Sequence, residues 1–210
     1  YAARQISWGM CDAVISGGSE SAATITAVAG FENMTALSTT MVSKPFDATR
    51  DGFIFGEGAA VFVLERLDLA IKRGATILGE IVGAGSNADA HHITAPSPGG
   101  IGATRCMQLA LEDAGLQASD IKQINAHGTS TPLNDSAEAQ AIESVFGERS
   151  VPVVSIKGVT GHPLGAAGAL EAAAVLLSIE KSLIPPTAGT TLIDPAMNID
   201  VVMGEPRKWT

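Results

Sequence analysis

Apolar positions along the chain follow two periods, and the alternation between them predicts an order of elements. Residues 1–9 (YAARQISWG) read as the end of a helix already under way, since no N-cap precedes them. DAVISGG at 12–18 is a short, near-continuously apolar run ending in glycines. It predicts a strand buried on both faces. Residues 22–34 read as helical or irregular, and KPFDATRDGFIFGEG at 44–58 as a glycine-punctuated loop. A strand over 59–64 and a short helix over 67–73, closed by Gly74, follow. Next come a strand over 77–85, a helix over 101–114 closed by Gly115, and a strand over 121–126 that ends at His127. Asn134 is placed to cap a helix running to Phe146, and a strand over 151–156 delivers Lys157. A long helix from about Pro163 to Lys181 stops before the Pro185–Pro186 pair, and IDVVMGEPRKWT holds one more strand. Strands alternating with helices predict an α/β protein.

Composition sharpens this picture in two ways. Charged residues make up 17% of the 210, below the roughly 25% usual in globular proteins, so much of the surface is expected to be buried in a core or an interface. Thirteen Lys and Arg against 22 Asp and Glu leave a net charge of -9, which argues against nucleic acid as a partner. No apolar run has the length of a membrane span, so no membrane role is expected. The N-terminus lacks a signal-peptide pattern, and the two cysteines, Cys11 and Cys106, make neither a disulfide framework nor a zinc site. A reduced, cytoplasmic protein is the expectation.

Two predicted strand ends carry the chemistry. INAHGTSTPLND (124–135) places His127 beside Gly128 and the hydroxyls of Thr129, Ser130 and Thr131. KGVTGHPLGAAGALE (157–171) supplies Lys157, His162 and Glu171. Ligands in open α/β sheets collect at such carboxyl ends. The small residues of Gly165–Gly168 let a ligand come close, and free N–H groups at that helix start favour an anion. Lys157 and Glu171 are also readable as a structural ion pair, and Asp135 and Glu138 as acids favoured by a helix dipole. His91 and His92 lack carboxylates at metal-ligand spacing, so no metal site is expected, and Cys106 reads as a core residue.

NAHGTSTP and KGVTGHPLGAAGA together resemble the two histidine motifs of the β-ketoacyl-acyl-carrier-protein synthases, most of all the elongating bacterial type, synthase II. SGGSE, ALSTT, KPFDATRDGFIFGEGAA and NADAHHITAPSP resemble further family segments in the same order. GHPLGA alone also resembles the thiolases; Lys157 ahead of His162, together with HGTSTP, separates the two. The resemblance implies a thiolase-like, layered αβαβα fold. Residues 1–75 would be the end of its N-terminal half and 76–210 most of its C-terminal half, incomplete at both ends. It implies a decarboxylating Claisen condensation of an acyl thioester with malonyl-carrier protein, in fatty-acid elongation.

Carried over by motif, His127 and His162 would both donate to the malonyl thioester oxygen. Lys157 and Glu138 would form a buried charged pair near them, supported by Asp135 and Glu171. Thr129 and Thr131 would bind the pantetheine amides, and Thr94 would line the pocket mouth. Gly158 stands where the family commonly has a serine. No cofactor is implied beyond the phosphopantetheine of the acyl-carrier protein, which is the implied partner, along with a second copy in a homodimer. The resemblance puts the nucleophilic cysteine upstream of Tyr1, so the chain alone is expected to be inactive. A chain-length-factor-like partner subunit and a polyketide ketosynthase remain as alternatives. A thiolase would need a second active-site cysteine.

Overall fold

In the computed structural model, which describes residues 1–209, the chain runs α1 (Ala2–Ser7), β1 (Ala13–Glu20), α2 (Ile25–Asn33), β2 (Gly58–Glu65), α3 (Leu67–Lys72), α4 (Ile101–Ala114) and β3 (Ile124–Asn125). It continues through α5 (Pro132–Phe146), β4 (Pro152–Val154), α6 (Lys157–Thr160), α7 (Ala167–Lys181), β5 (Leu183–Ile184), β6 (Asp200–Val201) and β7 (Arg207–Lys208). β1 and β2 form an antiparallel ribbon, β3, β4 and β6 a parallel sheet in that order, and β5 and β7 a small antiparallel pair. Among the described residues no helix is long and apolar enough to cross a membrane.

The main core forms on the side of the parallel sheet that faces α5. Ala126, Val153 and Val201 meet Ala139 and Ile142 of α5, with Met107 of α4 packed at the edge. Phe46, Val151, Met197 and Ile199 complete this cluster, so irregular stretches contribute as much as the helices. α7 lies instead against the β1–β2 ribbon. Gly18 comes so close to the turn before α7 that a Cβ would meet the Gly165 carbonyl at 2.6 Å. β5 at the end of α7 joins Val154 and Val202 in a second cluster.

The structure departs from the sequence expectations in several places: the helix expected from about Pro163 begins at Ala167, and the last segment holds two strands, β6 and β7, not one. β1 is not covered on both faces: its exposure alternates, and Ile15 (76%), with Val61 (66%) and Val63 (68%) of β2, stands open to solvent. Residues 77–85 form no regular element, with Ile77, Leu78, Ile81 and Val82 exposed, and among the described residues no neighbouring backbone pairs with them to make a strand. Their glycines lie on the helices instead: a Cβ on Gly85 would collide with the Cys106 carbonyl of α4. Of the strand expected over 121–126 only Ile124 and Asn125 are strand, with Ala126 N adding one more bond to the Val154 carbonyl. α5 begins earlier than expected, with Thr131 at the cap and Pro132 in the first turn, while Asn134 donates to Asp135.

Candidate active site

β3 brings His127 out of the core. Ala126, buried, donates to the Val154 carbonyl of β4, and the chain then turns at Gly128. α5 returns underneath and supports this turn with two carboxylates one helical turn apart. Glu138 accepts from the backbone N–H groups of His127 and Gly128, both at 2.7 Å. Asp135, fully buried, accepts from Phe46 N at 2.8 Å and Ser130 N at 3.2 Å. Both of those donors have left-handed backbone, Phe46 at φ 65° and Ser130 at φ 69°, so Asp135 holds two strained residues at once. Burial pushes Asp135 upward against these donors, and Glu138 to about 7.

His162 is held by the segment that the sequence presents as a loop. Its N–H donates to the Ile54 carbonyl at 2.8 Å, and its carbonyl accepts from Gly56 N at 3.2 Å. Phe53, 4% exposed, sets its ring 4.9 Å from the imidazole at 73°. Phe31 of α2 and Phe55 meet Phe53 edge to face at 5.6 and 5.7 Å. On the other side of His162 lies His127, with ring centroids 5.2 Å apart at 84°.

Lys157, 1% exposed at the start of α6, ties the two strand ends together. Its Nζ pairs with Glu171 of α7, donates to the His127 carbonyl at 2.5 Å and lies 3.3 Å from His127 Nδ1. An ammonium only donates, so Nδ1 of His127 must carry the lone pair and Nε2 the proton. His162 Nδ1 is buried without a hydrogen-bond partner among the described residues. Desolvation and then the Lys157 charge hold both imidazoles far below the ordinary histidine value, His162 at about 4 and His127 at about 3. His127 is the more exposed of the two, so water offsets part of its desolvation. At neutral pH the site therefore presents two uncharged imidazoles side by side, one with its donor nitrogen fixed. Such a pair suits an oxygen on which negative charge develops.

Several sequence expectations change here. The buried partner of Lys157 is Glu171, not Glu138, because Glu138 is committed to the backbone of the His127 turn. Burial nevertheless raises Glu171, and the Lys157 charge only partly opposes that. The helix start at Gly165 is not free for an anion from outside, since Glu20 Oε2 accepts from Gly165 N at 3.2 Å. Thr129 and Thr131 do come together, their hydroxyls 2.8 Å apart. Thr94 is exposed, and its N–H donates to His92 Nδ1 at 3.2 Å. Cys106 is half-buried rather than core. It lines a cleft of about 400 Å³ together with His127, Glu138, Met107 and Asp89. Asn125, two residues before His127, has both ends of its carboxamide buried without a partner among the described residues. The motif reading missed Phe53 and Glu20. The FIF triplet was visible, but nothing local in it announces a contact with residue 162.

The chain matches two adjoining families, beta-ketoacyl synthase, N-terminal domain, over residues 1–70, and beta-ketoacyl synthase, C-terminal domain, over residues 78–191. It is 47% identical over 203 residues to a 3-oxoacyl-[acyl-carrier-protein] synthase 2 of Staphylococcus aureus, covering 94% of this chain and 50% of that protein. The crystal structure of a beta-ketoacyl synthase from Burkholderia phymatum superposes with a TM-score of 0.95 at 45% identity, covering 99% of this chain and 52% of that one. A type II polyketide ketosynthase in complex with its acyl-carrier protein gives 0.95 at 34% identity, over 99% of this chain and 53% of that one. The chain thus spans about half the length of the relatives it matches, and its fold is the layered, thiolase-like α/β fold expected.

Proposed function

This chain belongs to the β-ketoacyl synthase family, and on that premise we propose that it carries the enolate-stabilising half of a 3-oxoacyl-acyl-carrier-protein synthase of fatty-acid elongation. The observation that supports this reading is the His127–His162 pair, two imidazoles kept neutral 5.2 Å apart. Malonyl-carrier protein loses CO₂ when its Cα–carboxylate bond breaks and the electron pair moves into the thioester, forming an enolate. The Nε2–H donors of His127 and His162 stabilise the enolate oxygen. The enolate carbon then attacks an acyl thioester carbonyl, and the thiolate that held the acyl group leaves.

We assign that thiolate to neither cysteine of this chain. Cys11 lies in the short connection between α1 and β1, and Cys106 lies in the middle of α4 rather than at a helix N-terminus, where the dipole would acidify it. Lys157, held by Glu171, fixes the His127 imidazole, while Glu138 and Asp135 fix the loop that carries His127. Thr129 and Thr131 face the pantetheine arm, with Thr94 at the mouth. The proposal extends to acyl-carrier protein as partner, to a cytoplasmic homodimer, to no cofactor of the protein's own, and to a junction between the two halves near residue 75. Retention of both histidines favours the enzyme over a non-catalytic partner subunit.

The test is release of CO₂ from malonyl-acyl-carrier protein by the full-length protein. Decarboxylation that disappears in His127→Ala is expected. A protein that forms 3-oxoacyl-carrier protein equally well without His127 and His162 overturns the reading.

A further inference from the structure

The two imidazoles are not held in the same way. His127 has Lys157 on its Nδ1, which sets both tautomer and ring direction. Among the described residues nothing bonds to His162 Nδ1. Its backbone is clamped by Ile54 and Gly56, but its ring is steered only by neighbouring rings, His127 on one side and Phe53 on the other. What sets the Phe53 ring therefore sets His162.

Phe53 is fixed through the two residues before it. Its N–H donates to the Ala36 carbonyl at 3.0 Å, and its own carbonyl accepts from Ser38 N at 2.9 Å, so it lies alongside residues 36–38. Gly52 allows this approach: a Cβ there would meet the Leu37 carbonyl carbon at 2.5 Å. Gly52 N also donates to the Ser130 carbonyl at 3.0 Å, joining the His127 loop to the same crosspiece. Asp51 secures the other strand of the contact. Its Oδ1 accepts from the Ser38 hydroxyl at 2.7 Å and the Thr40 hydroxyl at 3.3 Å. Its Oδ2 accepts from Thr39 N at 3.0 Å, the Thr39 hydroxyl at 2.8 Å and Thr40 N at 3.2 Å. Five donors on one carboxylate hold it ionised, at about 2, against the desolvation that alone would raise it. Thr39 and Thr40 are exposed, so without Asp51 their segment has little else to hold it down.

We propose that Asp51 is a positioning residue: it clips the Ser38–Thr40 segment to the Asp51–Phe53 crosspiece, holds the Phe53 ring against His162, and so aims the one imidazole of the pair that no hydrogen bond orients. This rests on the proposed function only for its effect on rate; the effect on His162 itself does not. Asn at 51 keeps the size but turns an NH₂ group toward donors, which opens the clip. Misplacing a reacting group by about 1 Å costs up to ~10²-fold.

The experiment compares Asp51→Asn with the parent full-length protein, reading the His162 ring resonances by NMR at neutral pH and the decarboxylation of malonyl-carrier protein. Phe53→Leu supplies the reference for an imidazole without its aromatic neighbour. The expected result is a His162 signal moved toward its position in Phe53→Leu, a His127 signal that moves less, and kcat lowered on the order of tenfold with KM unchanged. If Asp51→Asn fails to fold, Thr39→Val with Thr40→Val removes two of the five donors at exposed positions and gives the same readout in smaller measure. Unchanged His162 resonances in a folded Asp51 variant overturn the proposal. If the parent protein does not decarboxylate malonyl-carrier protein, the functional reading fails, and the resonances alone decide the role of Asp51.

Discussion

Lys157 Nζ lies 2.5 Å from the carbonyl oxygen of His127 and 3.3 Å from its Nδ1, so one buried ammonium grips both the backbone and the ring of the same histidine. The imidazole cannot rotate or exchange tautomers without losing one of these contacts.

Replacing Lys157 with Met removes the grip and strands Glu171. Breaking a buried pair from one side typically costs ~3–5 kcal/mol; Glu171 keeps some access to water, so the lower end is expected. Adding Glu171→Leu should restore much of the stability but none of the activity. Urea titrations of the single and double variants check this; a double variant no more stable than the single one contradicts it.

His127→Ala and His162→Ala should each lower malonyl decarboxylation by ~10²–10³, the usual effect of removing one oxyanion donor. Transfer of an acyl group onto the enzyme's thiol should suffer less, because no enolate forms in that step. Parallel assays of the two half-reactions separate the effects. Equal losses in both would point to a folding defect.

Stability should fall on acidification. Both imidazoles have folded values below the ordinary 6.5, so the unfolded chain binds protons that the folded chain refuses. The stability they contribute is complete above about pH 6.5 and is lost as pH drops towards about 4, where His162 titrates. For His162 the slope approaches ~1.4 kcal/mol per pH unit within that window. In His162→Gln the urea midpoint should depend less on pH between 6.5 and 5. An unchanged dependence would mean that other groups carry it.

Gly158→Ser should destabilise this chain. A Cβ at Gly158 would lie 1.9 Å from the Ala188 carbonyl oxygen, so the 186–190 segment must move. Overpacking of this kind costs ~1–3 kcal/mol. Thermal melting of the variant reads the effect directly, and a melting point at or above the parent's would show that the segment adapts freely.

Much of the architecture is legible in the sequence because it is local. α4 ends at Gly115, α7 runs to Lys181, and the β1–β2 ribbon follows its apolar residues. Legibility fails where a residue's role depends on a distant partner. Residues 77–85 have the apolar run of a strand, but a strand exists only with a neighbour to bond. The 44–58 stretch reads as a surface loop because glycines usually mark turns. Here they permit close approach, and Phe46 and Phe53 are among the most buried residues of the chain. His127 and His162 were readable as a pair from their matched motifs. Lys157 and Glu171 were readable as an ion pair; that Glu138 stays out of it depends on how α5 and α7 lie around the His127 turn.

Glu20 on Gly165 N has a consequence for what the site leaves unsatisfied. The Gly165 N–H just ahead of α7 is taken by the protein's own carboxylate, and the Lys157 ammonium by Glu171. Under the proposed function, a malonyl group between the imidazoles would meet donors for its thioester oxygen, while these two positive groups would already be engaged by Glu20 and Glu171. Its carboxylate would then gain less from the protein than the enolate does, an imbalance that would favour loss of neutral CO₂.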